Sequence, residues 1–231
     1  MCICLAEKWD ATSMKSVLRA VAPMCVGLAL FAGVAYAQDT GGDAASAAVV
    51  PAHLSAADQV WVARIEQTLN HALTFEARIQ QIDADGKRTT GRVWMKRPGQ
   101  MRLAYDPPSP LLLVANQGKV VFRDSQLDQT TVIPMDRTPL GLLLAQHISL
   151  SDGVTVTAFR HEAGLVAVKL VRTSAPGDGS LTLVFYDNPL ALRSWSVLDA
   201  QGRETRVTLF DVHPGADVPA SLFDLPAQPD E

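Results

Sequence analysis

Hydrophobic positions along this chain change their period near residue 73. Before it, Trp61, Ile65 and Leu69 recur every four residues, the spacing of one helix face. Ser55-Ala-Ala-Asp58 stands ahead of them as a capping box, with serine as N-cap and an acid three positions on. A helix is therefore predicted from Ser55 to about Asn70. Beyond it, Phe75, Ala77 and Ile79 alternate with Glu76, Arg78 and Gln80, the pattern of a half-buried strand. Asp85-Gly86 predicts a hairpin turn into a second strand around Gly91.

The two-residue period continues. Strands are predicted after Gly99 (Met101, Leu103 and Tyr105 on one side), at Leu111–Val114, Val120–Phe122 and Gln129–Ile133. More follow at Thr155–Arg160, Val166–Arg172, Leu181–Tyr186, Leu192–Leu198 and Glu204–Phe210, separated by turns such as Asp199-Ala-Gln-Gly202. Thr138-Pro139 followed by Leu140, Leu142, Leu143 and Leu144 interrupts the strands. Thr138 is expected to cap a short helix there, with Pro139 at its first position. Strands at hairpin spacing disfavour a doubly wound parallel sheet. The pattern predicts a mainly β (α+β) domain, an antiparallel meander curved into a sheet with helices over one face.

One segment stands out, Gly91-Arg-Val-Trp-Met-Lys-Arg97-Pro98-Gly99-Gln-Met-Arg-Leu-Ala-Tyr105-Asp-Pro-Pro-Ser-Pro110. Val93, Met95 and Arg97 share one side of a strand, so a guanidinium closes an apolar row. Arginine offers five donors and no acceptor, and on an apolar face it needs carbonyls or a carboxylate. The C-terminal carbonyls of a covering helix are short of partners and would serve. The other reading places Arg97 outward at a strand end, in water.

Composition changes the picture at the N-terminus. Lys15 and Arg19, the apolar run Ala20–Val34 and Ala35-Tyr36-Ala37 read as a secretory signal over residues 1–37, with an uncleaved anchor as the alternative and Met14 as a second candidate start. Residues 38–53 read as a flexible leader and residues 54–231 as a single domain. All three cysteines (Cys2, Cys4 and Cys25) fall in the signal, so the exported chain would carry no disulfide or thiolate chemistry. Met24 before Cys25 argues against lipidation there. Removing 37 of 231 residues takes away three of the 20 basic and two of the 24 acidic ones, leaving 194 residues with 17 and 22 and a net charge of −5. That balance does not favour nucleic acid, and the length suits one sizeable core.

Catalytic signatures are missing from the sequence. The five histidines, at 53, 71, 147, 161 and 213, have no helical metal-ligand spacing, and no nucleophile elbow or phosphate loop occurs. Asp106 and Asp124 are candidate carboxylates, although acids at strand ends usually serve turns. His147 is expected near the C-terminus of the leucine-rich helix. The chain is read as a non-enzyme without cofactor or metal, against a rival reading as a lipid- or glycan-modifying enzyme.

The Gly91–Pro98 strand and turn, Pro107-Pro-Ser-Pro110, Leu113-Val-Ala-Asn-Gln-Gly118-Lys119, Thr138-Pro139 and Phe223-Asp224-Leu225-Pro226 occur in an order that resembles the periplasmic outer-membrane lipoprotein carrier family, LolA. The likeness spans about residues 55–226. It implies an unclosed antiparallel β-barrel with a helical lid over an apolar cavity that holds acyl chains. It also implies a periplasmic monomer that takes acylated lipoproteins from an inner-membrane ATP-driven release complex and passes them to an outer-membrane acceptor. Carried over residue by residue, it makes Arg97 the latch between lid and barrel. Met101 departs from the family, whose members often carry an aromatic residue there.

On this reading the cavity wall comprises Phe75, Ile79, Val93, Met95, Met101, Leu103, Leu113, Leu183, Phe185, Trp195 and Val197. The lid comprises Trp61, Ile65, Leu69, Leu142 and Leu143. Each of these is equally explained as ordinary core. A rival within the same fold is a periplasmic sensor or adaptor that reads lipid or lipoprotein.

Overall fold

The computed structural model describes residues 49–226. The expected signal over residues 1–37 and the leader as far as residue 48 lie outside the described residues.

The alternating pattern folds into a single eleven-stranded sheet. Its first half comprises β1 (Thr74–Ile82), β2 (Arg88–Lys96), β3 (Gln100–Tyr105), β4 (Leu111–Asn116), β5 (Lys119–Asp124) and β6 (Gln129–Pro134). The second half comprises β7 (Val154–Glu162), β8 (Leu165–Arg172), β9 (Gly179–Asp187), β10 (Leu190–Asp199) and β11 (Glu204–Pro214). The order across the sheet is β6-β5-β4-β3-β2-β1-β11-β10-β9-β8-β7, antiparallel throughout. Two meanders thus meet at the β1/β11 pairing, and β6 and β7 are the two free edges. The result is an unclosed barrel, the antiparallel meander that the sequence pattern predicts in the open form that the family resemblance implies.

Register places the apolar rows on one face. Ala77 lies opposite Val93, Val93 opposite Leu103, and Leu103 opposite Leu113. In the other half, Val168 faces Leu183, Leu183 faces Trp195, and Trp195 faces Val207. Bulges interrupt β7, β10 and β11. An extra residue bends a strand and increases its twist, which curves the returning half of the sheet.

Helix α1 (Ala56–His71) covers the inner face. Ser55 caps it: its hydroxyl accepts from the Asp58 amide at 3.2 Å, and Asp58 accepts from the Ser55 amide at 3.0 Å. Ile65 and Leu69 are buried in the main core, while Trp61 packs at its edge. The chain enters in extended form, and the Ala52 amide donates to the Val156 carbonyl of β7 at 2.8 Å. Ala52, counted as leader from composition, therefore packs with the sheet.

The crossover from β6 to β7 joins the two free edges across the same inner face. It holds a short 3-10 turn, Met135–Arg137, and a four-residue helix α2 (Leu140–Leu143). Thr138 does not cap α2. Its hydroxyl donates back to the Met135 carbonyl at 3.1 Å, and Pro139 occupies the N-cap position. Leu140, Leu143, Leu144, Ile148 and Leu150 of this crossover are buried in the main core.

The C-terminal segment packs on the opposite face, where a 3-10 turn, Ala220–Phe223, contacts β3 and β4. Phe223 is fully buried, and the Phe223 carbonyl accepts from Asn116 Nδ2 at 2.8 Å. Val114, Val121 and Val218 are buried outside the main core cluster, giving the sheet a small second core on this side.

Candidate lid and cavity site

Arg97 follows β2 on its inward row, after Val93 and Met95, and is only 6% exposed. Its Nη2 donates to the carbonyls of Leu69 and of Ala72, the latter at 3.2 Å. Its own amide donates to the Leu73 carbonyl at 2.8 Å. These acceptors lie in the last turn of α1 and just beyond it, where helix carbonyls lack intrahelical partners and the macrodipole favours a cation. No carboxylate lies within ion-pair distance of Arg97 among the described residues. Burial therefore pulls its pKa below the usual arginine value.

A second set of bonds joins α1 to the crossover. Asn70 Nδ2 donates to the Ile148 carbonyl at 2.8 Å, and the Ile148 amide donates to Asn70 Oδ1 at 2.9 Å. One turn earlier, Glu66 Oε2 accepts from the Leu150 amide at 2.7 Å. The Gly99 amide ties the crossover to the β2–β3 turn through the Leu144 carbonyl at 2.9 Å. Arg172 of β8 donates to the Thr138 carbonyl at 3.2 Å. Helix and crossover form one cover, packed on the sheet through the shared apolar core and tied to it at the margins by the Arg97, Gly99 and Arg172 bonds. At its far end Trp61 meets His161 of β7 at a tilt of 59°, with ring centroids 4.5 Å apart, and Arg64 lies over the Trp61 ring.

Two cavities lie beside this cover. One, of about 580 Å³, is bounded by the end of α1 (Thr68, Leu69 and Ala72), Phe75, Met95, Arg97, Phe185, Leu190, Leu192 and Leu209. Tyr186, Phe210 and Val212 also line it and are at least 40% exposed, so its rim is apolar and open to solvent. Phe210 precedes the β11 bulge, where Asp211 has a φ of 49° that re-aims this part of the strand. The other cavity, about 780 Å³, lies between the crossover and β8–β9, with Leu142, Leu170, Leu181, Leu183 and Arg172 in its wall. Leu143 and Ile148 belong to both walls and partition the hollow.

Of the wall residues expected from sequence, Phe75, Met95, Leu183 and Phe185 line these cavities. Ile79, Val93, Met101, Leu103 and Trp195 are instead packed into the solid core, and Leu113 and Val197 flank it half-buried. The physical reason is the position of the cover: Ile65 is fully buried in the same cluster, and apolar groups close around it. Of the expected lid residues, Leu69, Leu142 and Leu143 touch a cavity, while Trp61 and Ile65 do not. Sequence reasoning missed Glu66, Asn70 and Ile148, and the exposed rim of Tyr186, Phe210 and Val212. In the sequence, Phe210 and Val212 fall out of step with the inward Val207–Leu209 row, the one available signal for the rim.

The candidate carboxylates have structural occupations. Asp106 pairs with Arg78 at 2.8 Å and accepts from Thr90 Oγ1 at 2.7 Å, and the Arg78 hydrogen bonds hold its pKa below the ordinary aspartate value. Asp124 Oδ1 accepts from the amides of Gln126 and Leu127 at 2.9 and 3.1 Å, closing a turn. His147 is exposed, three residues beyond the C-cap of α2.

Comparison with known proteins identifies the family. The family model described as outer membrane lipoprotein carrier protein LolA matches residues 70–226. An outer-membrane lipoprotein carrier protein of Azotobacter vinelandii is 30% identical over 73% of this chain and 85% of its own. One from Pseudomonas syringae pv. tomato is 30% identical over 76% of this chain and 86% of its own. Among solved structures, a putative outer membrane lipoprotein-sorting protein domain from Vibrio parahaemolyticus matches with a TM-score of 0.44 and 9% identity, over 71% of this chain and 95% of that one. With its family match covering most of the sequence, this chain belongs to the LolA family of outer membrane lipoprotein carrier proteins.

Proposed function

We propose that this protein is a periplasmic carrier that holds the acyl chains of lipoproteins between its sheet and its helical cover. The observation that carries the reading is the divided apolar hollow, with Leu143 and Ile148 as the partition and an exposed apolar rim at Tyr186, Phe210 and Val212. Each buried methylene contributes about 0.8 kcal/mol. Two or three long chains therefore carry a penalty in water on the order of tens of kcal/mol, which a carrier must offset. Lifting the partition joins the two cavities, and Arg97 and Asn70 set how readily that happens, because their bonds to carbonyls compete with cargo for the cover. Cargo would come from an inner-membrane ATP-driven release complex and pass to an outer-membrane acceptor, the protein acting as a monomer without covalent chemistry. Residues 1–37 would serve as its export signal.

The test is a release assay. Spheroplasts carrying labelled lipoproteins are incubated with the purified protein, and the soluble fraction is examined for complexes. The expected result is lipoprotein released in a one-to-one soluble complex. Lipoproteins that stay with the membrane at every concentration of the protein would contradict the proposal.

A further inference from the structure

Arg97 uses only part of its hydrogen-bonding capacity. Both of its bonds to the α1 carbonyls come from Nη2. Nε and Nη1 are buried and have no hydrogen-bond partner among the described residues. A buried guanidinium with unused donors and no counter-charge is an uncommon arrangement, because both charge and donors have lost their water. The side chain also forms part of the wall of the apolar cavity of about 580 Å³ beside Phe75, Phe185 and Leu209. Among the described residues, the one acid on that wall is Asp211, which is exposed, and it makes no bond to Arg97.

We infer that this cavity takes a long acyl chain ending in a carboxylate, a free fatty acid, with the carboxylate received by Arg97 Nε and Nη1. The chain matches the apolar wall, and the anion supplies both the missing charge and the missing acceptors. The two donors are buried, so the acid must displace part of their surroundings to reach them. Occupation by a fatty acid and loosening of the cover are therefore linked. The inference goes beyond lipoprotein carriage, since esterified chains bring a neutral carbonyl and no charge.

The probes are palmitate and 1-monopalmitoylglycerol, which share a chain and differ in carboxylate against ester. Each is titrated into the full-length mature protein against a displaceable fluorescent lipid, below its aggregation concentration. Palmitate should bind at least about tenfold more tightly, the ratio expected of one or more hydrogen bonds between charged groups. Arg97→Leu should bring the two ligands to equal affinity, and Arg97→Lys should retain part of the preference by keeping the charge. Equal binding of both ligands by the wild-type protein overturns the inference and leaves lipoprotein carriage standing. A preference for palmitate that survives in Arg97→Leu overturns it as well. Failure of both ligands to bind removes this inference together with the acyl-chain reading. The wild-type comparison decides the matter even if the leucine variant does not fold.

Discussion

Asn70 and Ile148 bond reciprocally: the side-chain amide of one donates to and accepts from the backbone of the other, at 2.8 and 2.9 Å. This pairing imitates one rung of a sheet and makes the end of α1 and the crossover a single body. Asn70→Ala should cost about 1–3 kcal/mol, since it strands two partly buried backbone groups. It should also speed hydrogen exchange at the Ile148 and Leu150 amides well beyond that of β1 and β2. A uniform change across all protected amides would show that the pairing is not a local hinge.

Arg97→Leu separates latch from stability. The variant strands the Leu69 and Ala72 carbonyls but also removes a buried charge that has no counter-charge, so the two effects oppose each other and the thermal midpoint should change little. Cargo, freed from competition with the latched state, should dissociate several-fold more slowly from the variant in a transfer assay. A large loss of thermal stability with unchanged transfer would make Arg97 a folding residue only.

Gly91 is required by a close approach between strands. A Cβ there would lie 2.3 Å from the Ala104 carbonyl oxygen and 2.9 Å from the Tyr105 Cα. Gly91→Ala should therefore cost on the order of 2–3 kcal/mol, at the upper end of overpacking effects. Gly86, with φ +79° and nothing within 4 Å, is a control whose alanine variant meets only backbone strain of about 1 kcal/mol. Urea melts of the two variants should rank in that order.

Much of this architecture is legible in the sequence, because local rules and tertiary packing agree. The Ser55–Asp58 capping box and the Ile65–Leu69 stripe specify α1, and alternation specifies the strands. The leucine-rich segment forms the short helix expected of it, but its start differs: Thr138 bonds back to Met135 instead of capping, and Pro139 takes the N-cap position. Ile148 and Asn70 lie 78 positions apart, and no periodicity links an asparagine to a distant backbone. Cavity and core residues are likewise indistinguishable in sequence. Val93 and Met95 share one strand face, yet only Met95 reaches a cavity, because the cover decides which inward groups are filled in.

Asp106 makes the stability of the fold depend on pH. Its hydrogen bonds from Arg78, then Thr90, depress its folded pKa below the ordinary 3.8. A carboxylate depressed on folding stabilises fully above its unfolded pKa, and that contribution disappears as pH falls through the folded value. The thermal midpoint of Asp106→Asn should thus lie furthest below wild type near pH 7, with the gap closing below about pH 4. A gap of constant size down to pH 2.5 would show that charge is not what Asp106 contributes.

The role proposed for the divided hollow is to carry lipid-modified protein. Its most direct test is mass spectrometry of what accompanies this protein when it is purified, without detergent, from the periplasm of cells that make it. The expected result is intact acylated lipoproteins, one per carrier and more abundant with Arg97→Leu. Phospholipid alone, or an empty protein in both forms, would contradict it.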